Sequence, residues 1–343
     1  MTGFKLHNEQ TTVEVDPIGG AIVSFTLNRN GVNPLNFRLQ RAADTNSAFF
    51  QGHFVCLPRW GDPSAGEARK GLIKHGDFST LEWTFHQHTP LLLDGKVTSA
   101  AEEMSLNRWM FLDSKQPVLH VTERVKNISS FWRMGNFVQH PSIAAPFLDA
   151  DTIVNSNAVN GFTNLQESVD SLPFSTWPLA YTTESNTCDM QTSSGDCSGV
   201  YSYTIAEEDR YGWITAYSPK DKLLIGYIWK RSDYPWVNCW IHSGEEGIRY
   251  RGLEFGTTGI HQSIDKIHAA GYTKLFNEPT VMVMDAGDQR YFAYTAFLLE
   301  PPAGFKGMQT MHIGREGIMY KAIGDHTEQL LPTPLTEYYE QTA

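Results

Sequence analysis

Short apolar runs separated by turn residues dominate the hydrophobic pattern of this chain. Nine segments are rich in β-branched or aromatic side chains, and each is bounded by Gly, Pro, Asn, Asp or Ser. This combination is typical of β-strands and the turns that join them. The predicted strands are Thr11–Val15, Ala21–Leu27, Val118–Val125, Val200–Ile205, Trp213–Tyr217, Leu223–Trp229, Trp236–Ile241, Val281–Met284 and Tyr291–Leu298.

The periodicity favours one fold class, an all-β sandwich. Leu223–Trp229 (LLIGYIW) is apolar on both faces, which predicts a strand that is covered on both sides. Helical spacing is clearest at Ile260, Ile264 and Ile267, in a segment that ends near Gly271. Strands and helices do not alternate, so a doubly wound parallel sheet is not expected. We therefore predict a large antiparallel β-sandwich.

The domain organisation predicted from the sequence is one domain over residues 1–343. This is long for a single domain, but all-β sandwiches routinely exceed the usual ~100–200 residues. The loop-like segment Glu184–Gly199 is interpreted as a long connection between strand-rich halves, because no Pro- or Gly-rich linker accompanies it. A polar tail from about Pro332 is expected on the surface.

Composition narrows the classes of partner. The formal net charge is −11, with 38 acidic and 27 basic residues and no block of like charge. Nucleic acids and anionic membranes need clustered Lys and Arg, so neither is an expected partner. No apolar run approaches the ~18 residues of a membrane helix, and the opening MTGFKLHNEQ does not resemble a signal peptide. We expect a protein of the cytoplasm.

Cysteine usage agrees with a reducing compartment. The cysteines show neither C-x-x-C pairing nor the spacing of a metal site, so free thiols are expected. Cys188 and Cys197 bracket a polar loop and would be able to pair if the protein were exported. No histidine or carboxylate cluster has zinc spacing, and no Gly-rich loop has phosphate-binding form. Neither a metal nor another cofactor is predicted.

Four segments carry residues suited to chemistry. Lys74–Phe78 (KHGDF) precedes Trp83, and Val125–Asn127 leads to Gly135–Pro141 (GNFVQHP). Tyr250–Gly256 (YRGLEFG) places a glutamate between apolar neighbours, and the turn DAGD at 285–288 precedes the last predicted aromatic strand. Histidine and a partly buried glutamate both have pKa values suited to proton transfer near neutral pH.

The order of these segments resembles that of the galactose-mutarotase-like, or aldose 1-epimerase-like, enzymes, including the glucose-6-phosphate 1-epimerase branch. That family carries an early His-Gly followed by Trp, then Val-x-Asn, His-Pro, a late Glu and a turn before the last strand. The counterparts here are His75-Gly76, Trp83, Val125-x-Asn127, His140-Pro141 and Glu254, and the resemblance spans about residues 15–300. It implies the galactose-mutarotase-like supersandwich and cofactor-free isomerisation of a sugar.

The resemblance also implies a role for each site residue. Interconversion of α and β anomers needs a base at the C1 hydroxyl and an acid at the ring oxygen. His140 would be that acid, Glu254 the base, and His75 a second donor that holds the sugar. Alternatively, His140 caps a strand, His75 is structural, and Glu254 pairs with Arg249 or Arg251.

Further residues are candidate sugar contacts. Arg59 is a plausible partner of sugar hydroxyls, although a surface arginine with a packed stem would give the same pattern. Asp77 and Trp83 belong to the first motif. Trp236 is a candidate floor for a sugar ring, and it should share a strand face with Trp240. His53, His86, His88 and His242 are interpreted as surface or structural residues.

Departures from the family bear on the substrate. Ser79 stands where the phosphohexose branch carries an arginine, and Asp77 adds a negative charge beside it. Because phosphate recognition usually recruits arginine, an unphosphorylated sugar is predicted. Two alternatives remain open. One is a non-catalytic carbohydrate-binding or regulatory protein on the same fold, and the other is a hexose-phosphate epimerase or another carbohydrate-active enzyme such as a lyase. The oligomeric state does not follow from the sequence.

Overall fold

Antiparallel strands make up most of the computed structural model, which describes residues 3–40, 49–164, 173–182, 186–192, 197–244 and 247–334. The elements, in chain order, are β1 (Phe4–His7), β2 (Thr11–Val15), β3 (Ile22–Leu27), β4 (Arg38–Gln40), β5 (Phe49–Gln51), β6 (His53–Cys56), α1 (Ala65–Arg69), β7 (Thr84–Thr89), β8 (Leu92–Ser99), β9 (Met104–Leu112), β10 (Val118–Asn127), β11 (Arg133–Gly135), β12 (Val138–Ala144), β13 (Ile153–Ser156), β14 (Ala158–Asn164), β15 (Phe174–Thr176), β16 (Leu179–Tyr181), β17 (Thr187–Asp189), β18 (Gly199–Ile205), β19 (Tyr211–Ser218), β20 (Leu223–Lys230), β21 (Trp236–Gly244), β22 (Gly247–Gly252), β23 (Glu254–Gly256), α2 (Ile264–Ala269), β24 (Lys274–Leu275), β25 (Glu278–Pro279), β26 (Met282–Met284), β27 (Gln289–Leu299), β28 (Met308–Gly314), β29 (Gly317–Ala322) and β30 (Gln329–Pro332).

Two large sheets form the sandwich. An 11-stranded sheet has the order β1-β2-β3-β6-β12-β22-β21-β18-β14-β15, and β23 pairs with both β12 and β21. An 8-stranded sheet has the order β13-β19-β20-β27-β10-β9-β8-β7. The strand pairs β12·β6, β12·β22 and β10·β27 are antiparallel, as are their neighbours. The predicted all-β antiparallel sandwich is therefore confirmed.

The predicted strands and the predicted helix are also found. Each of the nine segments coincides with an observed strand to within a few residues, namely β2, β3, β10, β18, β19, β20, β21, β26 and β27. The isoleucine spacing falls on α2, where Ile267 is buried, whereas Ile260 lies before the helix. The short helix α1 was not predicted. None of its side chains is buried, so it lacks an apolar stripe. A capping box of Ser64 and Glu67 stabilises its first turn.

Strand β20 is apolar on both faces because each face packs against a different apolar cluster. Ile225 and Tyr227 point into the main core between the two large sheets. Leu224 and Ile228 point the other way, into a second apolar cluster with Met311 and Ile318 of the sheet β28-β29-β30. The third sheet thus covers the outer face of the 8-stranded sheet. Much of the tail predicted from about Pro332, residues 335–343, lies outside the described residues.

One expectation from the cysteines is wrong. Cys188 and Cys197 form a disulfide with their Cα atoms 5.4 Å apart, while Cys56 and Cys239 are buried free thiols. The β16-β17 hairpin, which pairs Ala180 with Cys188, carries that cysteine to the chain entering β18. Disulfides persist mainly in oxidising compartments, so this one weighs against the expected reducing cytoplasm. Within the described residues, no helix is both long and apolar enough to cross a membrane.

Candidate active site

A cavity opens on the outer face of the 11-stranded sheet. Side chains of β12 alternate between its two faces. Gln139 and Ile143 point into the sandwich, whereas Val138 and His140 point outward. On β23, Glu254 points outward and Phe255 inward. The outward residues meet at a cavity of about 680 Å³, which His75, His140 and Glu254 all line.

His140 and Glu254 form the centre of the cavity. The Nε2 atom of His140 lies 3.2 Å from Oε1 of Glu254. The indole N–H of Trp60 donates to the other carboxyl oxygen, Oε2, over 2.9 Å. Oε1 itself makes no hydrogen bond to the described residues. A hydrogen bond of 3.0 Å joins Nδ1 of His140 to the Ser142 hydroxyl, so the ring is held in place.

Burial moves both groups towards their neutral forms. It raises the pKa of Glu254 well above its usual range, and the hydrogen bonds from Trp60 and the Trp240 backbone oppose this only in part. Burial lowers the pKa of His140 to about 3, with further lowering by His261 and Lys74. Burial therefore favours the single proton of the pair on the carboxyl rather than on the imidazole. This is the reverse of the distribution expected from the sequence.

The cavity is lined by three further histidines, His75, His242 and His261. The Nδ1 atom of His75 accepts a hydrogen bond from the Gly61 backbone over 3.1 Å, which places the proton of the neutral ring on Nε2. His261 lies with its ring centre 5.5 Å from that of His75. Burial, and then the charge of Lys74, lowers the pKa of His261 to about 3. Burial thus favours neutral imidazoles at His140 and His261, in the cavity that also holds the Glu254 carboxyl.

Aromatic rings form the walls. Phe54 stacks on His140, with ring centres 4.2 Å apart and planes 21° apart. Trp240 stands at 65° to His140, with its ring centre 6.1 Å away. Trp60 contacts His261 at 4.8 Å. Such a lining, mostly apolar with a few convergent polar groups, is typical of a small-molecule site.

Four residues predicted as sugar contacts do not line this cavity. Arg59 is buried in a bidentate ion pair with Glu102, and Asp77 accepts a hydrogen bond from Ser99. Trp83 lies in the main core and donates to the Phe78 carbonyl. Trp236 shares a sheet face with Trp240 as predicted, but it packs in a separate cluster near α2. Each side chain has a structural partner that spacing along the chain does not reveal.

Other cavity residues were not predicted to belong to the site. His261 lies in the loop before α2, and the Asn164 side chain holds that loop by accepting from the His261 backbone N–H and donating to the Gly259 carbonyl. No motif surrounds His261 in the sequence. His242 was interpreted as surface or structural, yet it lines the cavity while remaining exposed. The described residues include no group of three His, Cys, Asp or Glu side chains placed to hold a metal ion.

Comparison with known proteins gives no sequence relative, since neither a family model nor a curated protein matches. Solved structures do match. A galactose mutarotase related enzyme from Lactobacillus acidophilus superposes with a TM-score of 0.62 at 13% identity, over 87% of this chain and 97% of that one. A galactose mutarotase-like protein from Clostridium acetobutylicum gives 0.62 at 14%, over 87% and 95%. This chain has the galactose mutarotase-like fold.

A third structure extends the same finding. The galactose mutarotase-like protein from Lactobacillus casei superposes with a TM-score of 0.61 at 14% identity, over 87% of this chain and all of that one (100%). The galactose mutarotase-like fold therefore accounts for both large sheets, and the resemblance noted in the sequence is confirmed at the level of fold. Identity this low leaves the chemistry to be argued from the cavity itself.

Proposed function

We propose that the protein is an aldose 1-epimerase-like isomerase that interconverts the α and β anomers of an unphosphorylated sugar. The observation that carries the proposal is the contact of His140 Nε2 with Glu254 Oε1, 3.2 Å apart within a cavity of about 680 Å³. The carboxyl oxygen without a hydrogen bond to the described residues is the one beside the imidazole. An acid and a base thus converge where a sugar ring can enter.

In the proposed reaction, the pair carries one proton throughout. Glu254 takes the proton of the C1 hydroxyl while His140 gives a proton to the ring oxygen, so the C1–O5 bond breaks and C1 becomes an aldehyde. The C1–C2 bond then rotates. On closure, Glu254 returns its proton to the C1 oxygen and His140 removes one from the C5 hydroxyl. Atoms and charges balance without a cofactor.

The proton distribution that burial favours is that of the ring-opened stage. Burial favours a protonated Glu254 beside a neutral His140. A cyclic sugar offers a hydroxyl donor to the carboxylate and a ring oxygen to the imidazolium, and both contacts favour the opposite distribution. Both states differ only in the position of one proton between atoms 3.2 Å apart. His75, with its proton on Nε2, would donate to a sugar oxygen.

The cavity lining favours an unphosphorylated substrate. Among the lining residues that the structure describes, none is an arginine, and Lys74 is the one lysine. Two arginines that the sequence placed near the site are buried elsewhere: Arg59 pairs with Glu102, and Arg251 donates to the Met190 carbonyl. Phosphate dianions are usually bound by bidentate arginines. A neutral sugar needs no such partner.

Polarimetry of freshly dissolved sugars tests the proposal. Glucose, galactose and glucose 6-phosphate are each followed to anomeric equilibrium with and without protein. We expect acceleration for at least one neutral sugar, and less for the phosphate ester. Turnover of glucose 6-phosphate equal to that of the neutral sugars would contradict the substrate assignment. Binding of sugars without any acceleration would instead favour the carbohydrate-binding alternative.

A further inference from the structure

Residues 57–78, which we call the cavity loop, carry three cavity residues between β6 and β7. Trp60, Lys74 and His75 all belong to this loop. The loop is described throughout, and its regular secondary structure is limited to the short helix α1. Sheet hydrogen bonds therefore do not hold these residues in place, and other contacts must do so.

Backbone contacts close the cavity loop on itself. The Leu57 N–H donates to the His75 carbonyl over 3.2 Å, and the His75 N–H donates to the Gly61 carbonyl over 2.9 Å. The Pro58 carbonyl accepts from the Asn136 N–H over 2.6 Å, just before β12. The start and the end of the loop therefore lie side by side.

Arg59 ties the cavity loop together from within. Its guanidinium bonds both carboxyl oxygens of Glu102 over 2.6 and 2.7 Å, and the two side chains are 2% and 1% exposed. The same group donates to Glu67 of α1 over 2.8 Å and to the Ile73 carbonyl over 3.1 Å. One buried side chain thus joins three separate points, of which Ile73 lies two residues before His75.

Glu102 anchors this arrangement to the 8-stranded sheet. It lies in the turn between β8 and β9, and its backbone N–H donates to the Ser99 hydroxyl over 2.9 Å. That hydroxyl donates to Asp77, near the end of the cavity loop, over 2.7 Å. A continuous set of contacts therefore runs from Arg59 through Glu102 and Ser99 to Asp77. The loop leaves one large sheet and is held by the other.

The side chain next to Arg59 serves the acid–base pair. The indole N–H of Trp60 donates to Oε2 of Glu254 over 2.9 Å, whereas Arg59 bonds Glu102. Because consecutive Cα atoms are held ~3.8 Å apart, a displacement of Arg59 moves Trp60 as well. An arginine that bonds a carboxylate through two parallel hydrogen bonds has a fixed orientation, which suits such an anchor.

We infer that Arg59 and Glu102 are positioning residues: their ion pair fixes the cavity loop so that Trp60 holds Glu254 and His75 faces the sugar. The inference rests on the proposed function, since it assigns both residues a role in that reaction. Neither residue lines the cavity, so both act through Trp60 and His75. Arg59 thus takes part without the sugar contact predicted from the sequence.

Arg59→Lys and Glu102→Gln test the inference through pH profiles. A lysine keeps the charge but cannot form the parallel bonds, and a glutamine keeps the shape but loses the charge. Burial raises the pKa of Glu254, and the Trp60 bond opposes this. Since both variants loosen that bond, kcat/KM should fall about three- to tenfold, and its decline at high pH should move to higher pH.

A double variant and a matched control test the route. Once Trp60→Phe has removed the bond to Glu254, Arg59→Lys should move the high-pH decline no further, because both changes act on one contact. Arg231→Lys is the control. Arg231 pairs with Glu278, their side chains are 18% and 11% exposed, and neither lines the cavity. This variant should lose stability without moving the decline.

Glu67→Gln is a milder variant that decides the matter if the buried substitutions do not fold. Glu67 is 31% exposed and bonds the same guanidinium. Its change should lower kcat/KM about twofold and move the high-pH decline in the same direction. An unchanged decline in every folded variant, an equal shift in Arg231→Lys or a further shift in the double variant would overturn the positioning role. The epimerase proposal would stand.

Hydrogen exchange of the Trp60 indole separates these results from failure of the proposed function. Its NMR signal is identified by its absence from Trp60→Phe. Exchange should be about tenfold or more faster than in wild type in Arg59→Lys, or measurably faster in Glu67→Gln if the former does not fold, and unchanged in Arg231→Lys. If no sugar is equilibrated, the epimerase proposal fails and this measurement decides alone. Exchange equal to that of wild type would overturn the inference.

Discussion

Two buried glutamates of the sandwich, Glu123 and Glu254, differ in how completely their carboxyl oxygens are hydrogen-bonded. Glu123 of β10 and Glu254 of β23 are both fully buried, and burial raises the pKa of each. Arg108 bonds Oε1 of Glu123 over 2.7 Å, and Gln139 bonds Oε2 over 2.5 Å. Glu254 has a hydrogen bond on Oε2 but none on Oε1 among the described residues.

The difference separates a structural carboxylate from a reactive one. A buried charge is tolerated when cations and donors surround it, as around Glu123. Glu254 faces a cavity and a neutral imidazole, and no guanidinium contacts it in the described chain. Its open oxygen is costly in the absence of ligand and useful in its presence, because a sugar hydroxyl can supply the missing donor. The same residue type thus has a complete set of partners at one site and, under the proposed function, acts as the base at the other.

The largest expected effect is loss of turnover on the cavity side. Glu254→Gln and His140→Asn should each lower kcat by ~10²–10⁴-fold, since each removes one proton-transfer group while keeping its shape. The losses should not add in the double variant, because the pair acts as a unit. Sugar Kd values should change little. Measured kcat near wild type for Glu254→Gln would remove the base from the proposed reaction.

For Glu123, in the core, the expected effect of substitution is on the free energy of unfolding. Glu123→Gln leaves Arg108 buried without its carboxylate and should lower the free energy of unfolding by about 3–5 kcal/mol. Glu254→Gln should change it by no more than about 1 kcal/mol, because the neutral form is already favoured there. Urea denaturation of both variants checks the comparison. Equal destabilisation would mean that the two carboxyls do not differ in role.

The pH dependence of kcat/KM tests which residue of the pair holds the single proton. Activity requires one proton on the pair, so kcat/KM should follow a bell-shaped profile. The acid limb arises when His140 gains a second proton, which its lowered pKa of about 3 places well below the ordinary imidazole range. The basic limb arises when the proton on Glu254 is lost, above the ordinary carboxyl range. Activity should fall about tenfold per pH unit on each limb. An acid limb at the ordinary imidazole pKa would contradict this assignment.

A smaller effect is expected at the hydrogen bond that holds Glu254. Trp60→Phe removes the 2.9 Å bond from the indole to Oε2 and keeps the ring. Losing one such bond is worth ~1.5 kcal/mol, which corresponds to about a tenfold lower kcat/KM. Because that bond lowers the pKa of Glu254, the basic limb should move to higher pH in this variant. Trp83→Phe, in the core, is the control and should not move the limb.

Sequence reasoning reached the fold because alternation of apolar side chains reports directly on the two faces of a strand. It also reached His75, His140 and Glu254, whose order along the chain resembles that of a known family. Sequence reasoning could not identify hydrogen-bond partners that are distant along the chain. The ion pair that buries Arg59 joins residues 43 positions apart, and the bond from Trp60 to Glu254 spans 194 positions. No sequence motif surrounds His261. It reaches the cavity only through the conformation of the loop before α2.

The alternation of side chains along strand β12 limits the insertions and deletions that this strand can accept. Gln139 and His140 are adjacent, yet one serves the core carboxylate and the other the cavity carboxylate, from opposite faces of the same sheet. Inserting or deleting one residue before this pair would exchange the two faces along the whole strand. The imidazole would then point into the core and the amide towards the cavity. Variation in chain length at β12 is therefore confined to even steps, or to the turns beyond its ends.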